Sequence, residues 1–119
     1  MADIVAIESV LHEVEKSLGV EDAVLVSRSG VHIAGAVPIG AHSETFVAMF
    51  AVLLGAAENA TSELKERLDS VVINLEGSRV IIVNDGPKAL FVFRTRKDID
   101  TRRLRQGLEK YARQIEEHL

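Results

Sequence analysis

Cysteine is absent from the 119 residues, which removes disulfides, thiolate nucleophiles and every zinc site built on sulfur, and is compatible with a reducing compartment. Tryptophan is missing too, and one Tyr with four Phe is too little aromatic surface for a base-stacking platform. Positive charge is in deficit: 14 basic residues stand against 18 acidic ones, a formal net charge of −4, the wrong sign for neutralising phosphates. No nucleic-acid partner is expected. The opening MADIVAIESVLHEVEK has acids where a secretory signal needs a basic segment, and no apolar run reaches the roughly 18 to 20 residues of a membrane span. A soluble, cytoplasmic protein without membrane insertion is the expectation.

Catalytic and cofactor motifs are equally scarce. His12, His32, His42 and His118 are scattered, with no short metal-binding spacing. Ser27, Ser29 and Ser43 lack the glycine-flanked elbow of a serine nucleophile. The stretch from Gly35 to Ser43 has the glycine spacing of a phosphate loop, but Ala41 and His42 stand where the phosphate-reaching lysine and the magnesium-holding hydroxyl belong. It reads as a turn into a helix. Arg28 and Arg79 sit at turns, where an arginine can reach a partner's phosphates; a solvated turn residue is the preferred reading. No catalytic residue, metal or cofactor is expected, and the chain reads as a non-enzyme.

What the chain has is aliphatic pattern: 47% apolar against 27% charged residues, enough to bury a core within one domain of residues 1–119. Ile4, Ile7, Leu11, Val14 and Leu18 step by three or four, predicting an amphipathic helix capped by Asp3 and ended by Gly19. The β-branched segments 23–27 and 31–37 flank Arg28-Ser29-Gly30 and predict a hairpin. A long helix follows, from an N-cap at Ser43 to about Leu68, with Phe46, Phe50, Leu53, Ala57, Ala60 and Leu64 on one stripe. Val47, Met49, Val52 and Leu54 widen its apolar surface, and Glu63 and Arg67 have i,i+4 spacing. Segments 70–76, 79–85 and 89–95 form a strand meander separated by Gly77-Ser78 and Asp85-Gly86-Pro87. Their nearly unbroken apolar runs require cover on both faces. A last helix, capped by Asp98 or Asp100, aligns Leu104, Leu108, Tyr111, Ile115 and Leu119. The fold class is α/β, in the order α-β-β-α-β-β-β-α, an antiparallel sheet sandwiched by helices.

Two features point to self-association. The strand VVINL, Val71, Val72, Ile73, Asn74 and Leu75, has no proline or lysine to blunt it at a sheet edge. Phe46, Val47, Phe50, Leu53 and Leu54 give the long helix more apolar area than one sheet face needs, and Gly55 would let a second helix approach. Both sets are assigned to a dimer interface. Charge is also uneven: residues 1–69 hold 11 acids and 4 bases, net −7, and 70–119 hold 7 acids and 10 bases, net +3. The basic excess, Arg94, Arg96, Lys97, Arg102, Arg103 and Arg105, is assigned chiefly to internal ion pairs rather than to an anionic partner.

GVEDAVLVSRSGVHIAG at 19–35, FVAMFAVLLGAAENA at 46–60, SVVINLEGSRVIIVNDGPKALFVF at 70–93 and the terminal amphipathic helix together resemble the roadblock/dynein light chain family, including its MglB-like prokaryotic members. The resemblance implies a five-stranded antiparallel sheet, roadblock- and profilin-like, with the long helix on one face and the terminal helices on the other. It also implies a dimer with a continuous sheet. In function it implies a homodimeric scaffold or regulator of a Ras-like small GTPase that repositions the partner's machinery and modulates its hydrolysis. The alternative is a structural light-chain-like adaptor. Carried over by position, the partner surface would be Glu58, Ser62, Lys65 and Glu66, with Met49 and its neighbours to Ala51.

Overall fold

The computed structural model describes residues 2–119. The elements are α1 (Ile4–Leu18), β1 (Asp22–Ser27), β2 (His32–Ala34), α2 (Ser43–Ser62), β3 (Val71–Asn74), β4 (Arg79–Asp85), β5 (Ala89–Thr95) and α3 (Thr101–His118). The five strands make one sheet in the order β2-β1-β5-β4-β3, with every neighbouring pair antiparallel. β4 and β5 match the expected segments to the residue.

The continuous apolar runs resolve into two alternating sets, as a strand's period of two dictates. Leu25, Ile81, Val83, Phe91 and Phe93 face one side, where Ile7, Leu11 and Val14 of α1 and Leu104, Leu108, Tyr111 and Ile115 of α3 cover them. Val24, Val26, Val80, Ile82, Leu90 and Val92 face the other, where α2 contributes Val47 and Leu54. Thus two helices seal one face and a single helix covers the other.

Local chemistry explains most boundaries. The Asp3 carboxylate accepts from the Ala6 amide at 3.1 Å and Gly19 closes α1 at φ 69°. Asp100, not Asp98, caps α3, accepting from the Arg103 amide at 3.1 Å. α1 and α3 run antiparallel, with the Asp3 amide donating to the His118 carbonyl at 2.9 Å. At their other end Gly107 lies so close to Leu18 that a β-carbon would meet its Cδ2 at 2.6 Å.

Three expected elements have their boundaries corrected. β2 covers His32–Ala34 rather than 31–37, because Gly35 turns the chain at φ +89° and packs its Cα side onto the Ala23 carbonyl. β3 is trimmed from 70–76 to Val71–Asn74, with Leu75 bonded across the loop to the Ser78 carbonyl at 2.9 Å. α2 begins with Ser43 inside the helix; the cap position is His42, whose side chain makes no capping bond. It stops at Ser62, short of the expected end near Leu68. The hydroxyls of Thr61 and Ser62 donate back to the carbonyls of Ala57 at 2.8 Å and Asn59 at 2.7 Å. Leu64 and Lys65 then bond only three residues back, and Lys65 adopts a left-handed φ of 58°. Glu63 and Arg67 are therefore not helix neighbours.

Candidate functional site

α2 is apolar nearly all round, and its single sheet face cannot absorb that surface. Only Val47 and Leu54 of this helix are fully buried, with Phe46, Phe50 and Ala51 packed beside them. Met49 is 58% exposed, Val52 62% and Leu53 39%, and together with exposed Ala56 they follow the i, i+3, i+4, i+7 pattern of one helix stripe. Apolar residues that share a stripe make a patch rather than scattered exposure. By length and composition α2 would also pass for a membrane span, which corrects the expectation that no segment would. Its inner side chains, however, are interlocked with the sheet.

The helix that carries the stripe covers a sheet face to which the edge strand β3 contributes. Val71 and Ile73 pack towards α2; Val72, 41% exposed, and Leu75, 46% exposed, stay outside. Among the described residues β3 pairs only with β4, which leaves its other border without a strand. Beneath the N-terminal half of α2, Phe46, Phe50, Leu75, Val80 and Val92 line a cavity of about 170 Å³ with the Arg94–Asp22 pair at its side. Phe46 and Phe50 meet edge to face at 4.8 Å between centroids.

Of the residues assigned to a dimer interface, Leu53, Val72, Asn74 and Leu75 are exposed and Phe46, Phe50, Val71 and Ile73 half-buried. Val47 and Leu54 are corrected: they are spent on the chain's own sheet and offer nothing outward. Val52 and Ala56 belong to neither set of sequence candidates. The i,i+3,i+4,i+7 relation to Met49 was the available signal, hidden by the equally regular stripe chosen instead.

Of the expected partner surface, Glu58, Ser62 and Glu66 line one groove beside the Gly86-Pro87 turn, to which Met49 and Lys65 do not contribute. Met49 shares the stripe with Leu53. Glu58 is half-buried and paired with the Arg28 guanidinium, and the Ser62 hydroxyl is occupied by the Asn59 carbonyl. Lys65 and Glu66 lie beyond the helix end, in the turn that follows it.

The turn arginines are not solvated free groups. Arg28 also donates to Asn84 Oδ1 at 2.9 Å, so it ties the β1–β2 turn to α2 and β4. Gly30 makes that approach possible at φ +90°, 3.2 Å from a β-carbon position to the Ala48 Cα. Arg79 donates to Asn74 Oδ1 at 2.8 Å and to the Ile99 carbonyl at 3.3 Å. The later basic residues are mostly paired. Arg94 meets Asp22 at 2.5 Å, Arg105 meets Asp69 at 2.8 Å and Arg96 meets Asp98 at 3.4 Å. The hydrogen bond from Arg105 holds the Asp69 carboxyl below its ordinary value, and Asp22 raises the Arg94 guanidinium further. Arg102 and Arg103 are exposed. Among the described residues no group of three or more His, Cys, Asp or Glu is placed to hold a metal.

The family model for the Roadblock/LC7 domain matches residues 6–95. No curated protein sequence matches. Among solved structures, an MglB with a tetrameric arrangement superposes with a TM-score of 0.79 at 22% identity, covering 95% of this chain and 90% of that one. Myxococcus xanthus MglB gives 0.82 at 13% identity, covering 95% and 86%. The gliding protein MglB of Thermus thermophilus gives 0.75 at 19%, covering 92% and 85%. At such identities the likeness is one of fold.

Proposed function

This chain belongs to the Roadblock/LC7 domain family, and from that premise we propose that it is a homodimeric, non-enzymatic regulator or scaffold of a Ras-like small GTPase in the cytoplasm. The observation that carries the proposal is the outward apolar stripe of Met49, Val52 and Leu53, taken together with the unpaired border of β3. A second copy seated there would bury a few hundred Å² per chain, worth on the order of 25 cal/mol per Å² before the cost of association. The tetrameric arrangement of a structurally similar MglB supports self-association. The GTPase would act with its own catalytic groups: Arg28 and Arg79 are held by internal hydrogen bonds and are poorly free to enter a partner's active site. Regulation then means holding the partner's mobile segments in one arrangement, which changes its hydrolysis rate.

The test mixes the purified protein with each small GTPase of its source cell and follows complex formation and GTP hydrolysis together. Complex formation with a changed hydrolysis rate for at least one GTPase is expected. Absence of both across the whole set would overturn the proposal, and capture of a larger assembly lacking any GTPase would favour the adaptor reading instead.

A further inference from the structure

The end of the molecule where the β4–β5 turn meets the C-terminal ends of α2 and α3 carries a group that neither the fold nor the α2 stripe uses. Asp85, the last residue of β4, is 2% exposed, and neither of its carboxylate oxygens has a hydrogen-bond partner among the described residues. A buried carboxylate in that state is costly and needs a proton or a cation to offset it. Asp85 lines a cleft of about 230 Å³ with Pro87, Lys88, Glu116 and Leu119. Glu116 leans over the turn: a β-carbon on Gly86 would come within 2.5 Å of its Oε1. Glycine at position 86, at φ +68°, is what lets this carboxylate lie against the backbone.

Two carboxylates therefore face one ammonium, that of Lys88. The surroundings add to the negative side. α2 ends nearby with no basic residue in its last turn, so the partial negative charge of its terminus is not countered locally. Glu58 and Glu66 line a wider groove of about 590 Å³ on the other side of the same Gly86-Pro87 turn, together with Arg67.

We propose that this cleft receives an arginine side chain presented by a partner protein, with the guanidinium between Asp85 and Glu116 and the stem against Pro87 and Leu119. The planar fork of an arginine suits two carboxylates better than the point charge of a lysine. The cleft is roomy enough for a guanidinium and its stem, whereas a hard metal ion seeks about six or more oxygen ligands and finds two carboxylates. Glu116 is exposed, so its side chain can swing off Gly86 to admit the guanidinium to the covered oxygens of Asp85. Burial first, and then the neighbouring Glu116, push the Asp85 carboxyl up to about 7. The seat is thus shared between a proton and the incoming cation. Glu116 from α3 and Lys88 from the turn are the other charged groups that line it, and binding should tighten roughly tenfold between pH 6 and pH 8 as the proton leaves.

The experiment uses the full chain, labelled with ¹⁵N, and the peptide Ac-Gly-Arg-Gly-NH₂ at constant ionic strength, independently of any GTPase. Saturable shifts are expected at the amides of Gly86, Lys88 and Glu116, about tenfold weaker binding of the citrulline counterpart, and tightening from pH 6 to pH 8. Asp85→Asn, which removes the buried charge and keeps the shape, should abolish binding; Glu116→Gln, at an exposed position, should weaken it several-fold with the fold intact. Equal shifts in wild type and both variants would overturn the proposal. Saturation by calcium or magnesium chloride with no response to the arginine peptide would overturn it too, in favour of a metal site.

Discussion

Asp85 makes the stability of the fold depend on pH in an unusual direction for a carboxylate. Its folded value, about 7, lies above the ordinary 3.8, so between those limits the folded chain binds more protons than the unfolded one. Stability contributed by the neutral form is full below about pH 4, declines as pH rises towards 7 and is gone above it. At about 1.4 kcal/mol per pH unit the effect amounts to no more than a few kcal/mol. Asp85→Asn should raise the urea midpoint at pH 8 and flatten its decline between pH 4 and 7; an unchanged midpoint and slope would show that the carboxylate is well solvated. Gly35 is the opposite kind of residue, one with no tolerance for a side chain. A β-carbon there would sit 2.2 Å from the Ala23 carbonyl oxygen, at φ +89°. Gly35→Ala should cost about 3 kcal/mol or more in denaturant unfolding, through a backbone clash added to conformational strain.

At the level of elements, α2 separates into a face that folds the chain and a face that does not. Leu54→Ala should destabilise by about 2–5 kcal/mol, because it opens a cavity in the buried cluster that Leu54 shares with Val47 and the sheet. Val52→Lys on the opposite side should change monomer stability by less than about 0.5 kcal/mol; comparing the two in thermal unfolding below the association range checks the assignment. This division was not legible in the sequence, since a helix apolar on most sides offers several equally regular stripes. Phe46, Phe50, Leu53 and Ala57 formed one; the structure buries Val47 and Leu54 instead. Nor could the end at Ser62 be read, because Glu63 and Arg67 have good helical spacing while the competing hydroxyl bonds of Thr61 and Ser62 are a local choice. β4 and β5 were legible to the residue because Gly77-Ser78 and Asp85-Gly86-Pro87 punctuate them. Asp85 itself looked like a turn residue, as its burial depends on α3 folding back from much later in the chain. The open β3 edge followed from strand order.

For the whole molecule, the uncovered stripe predicts concentration-dependent mass. Light scattering at micromolar concentration should give about twice 13.0 kDa for the wild-type chain, and Val52→Lys with Leu53→Lys should return it to a single chain with an unchanged circular dichroism spectrum. A wild-type mass of one chain throughout would leave the stripe without its proposed occupant. The two borders of the sheet are unequal. β2 is three residues long, bulged against β1, and the amide of the following Gly35 is taken by the Glu8 carboxylate at 3.0 Å; β3 has no such obstruction among the described residues. A tile with one adhesive rim joins a single twin by a half-turn and then stops, whereas two such rims would let it polymerise. In the proposed dimer the lopsided sheet would thus limit the assembly to a pair and keep the sheet from extending into fibres.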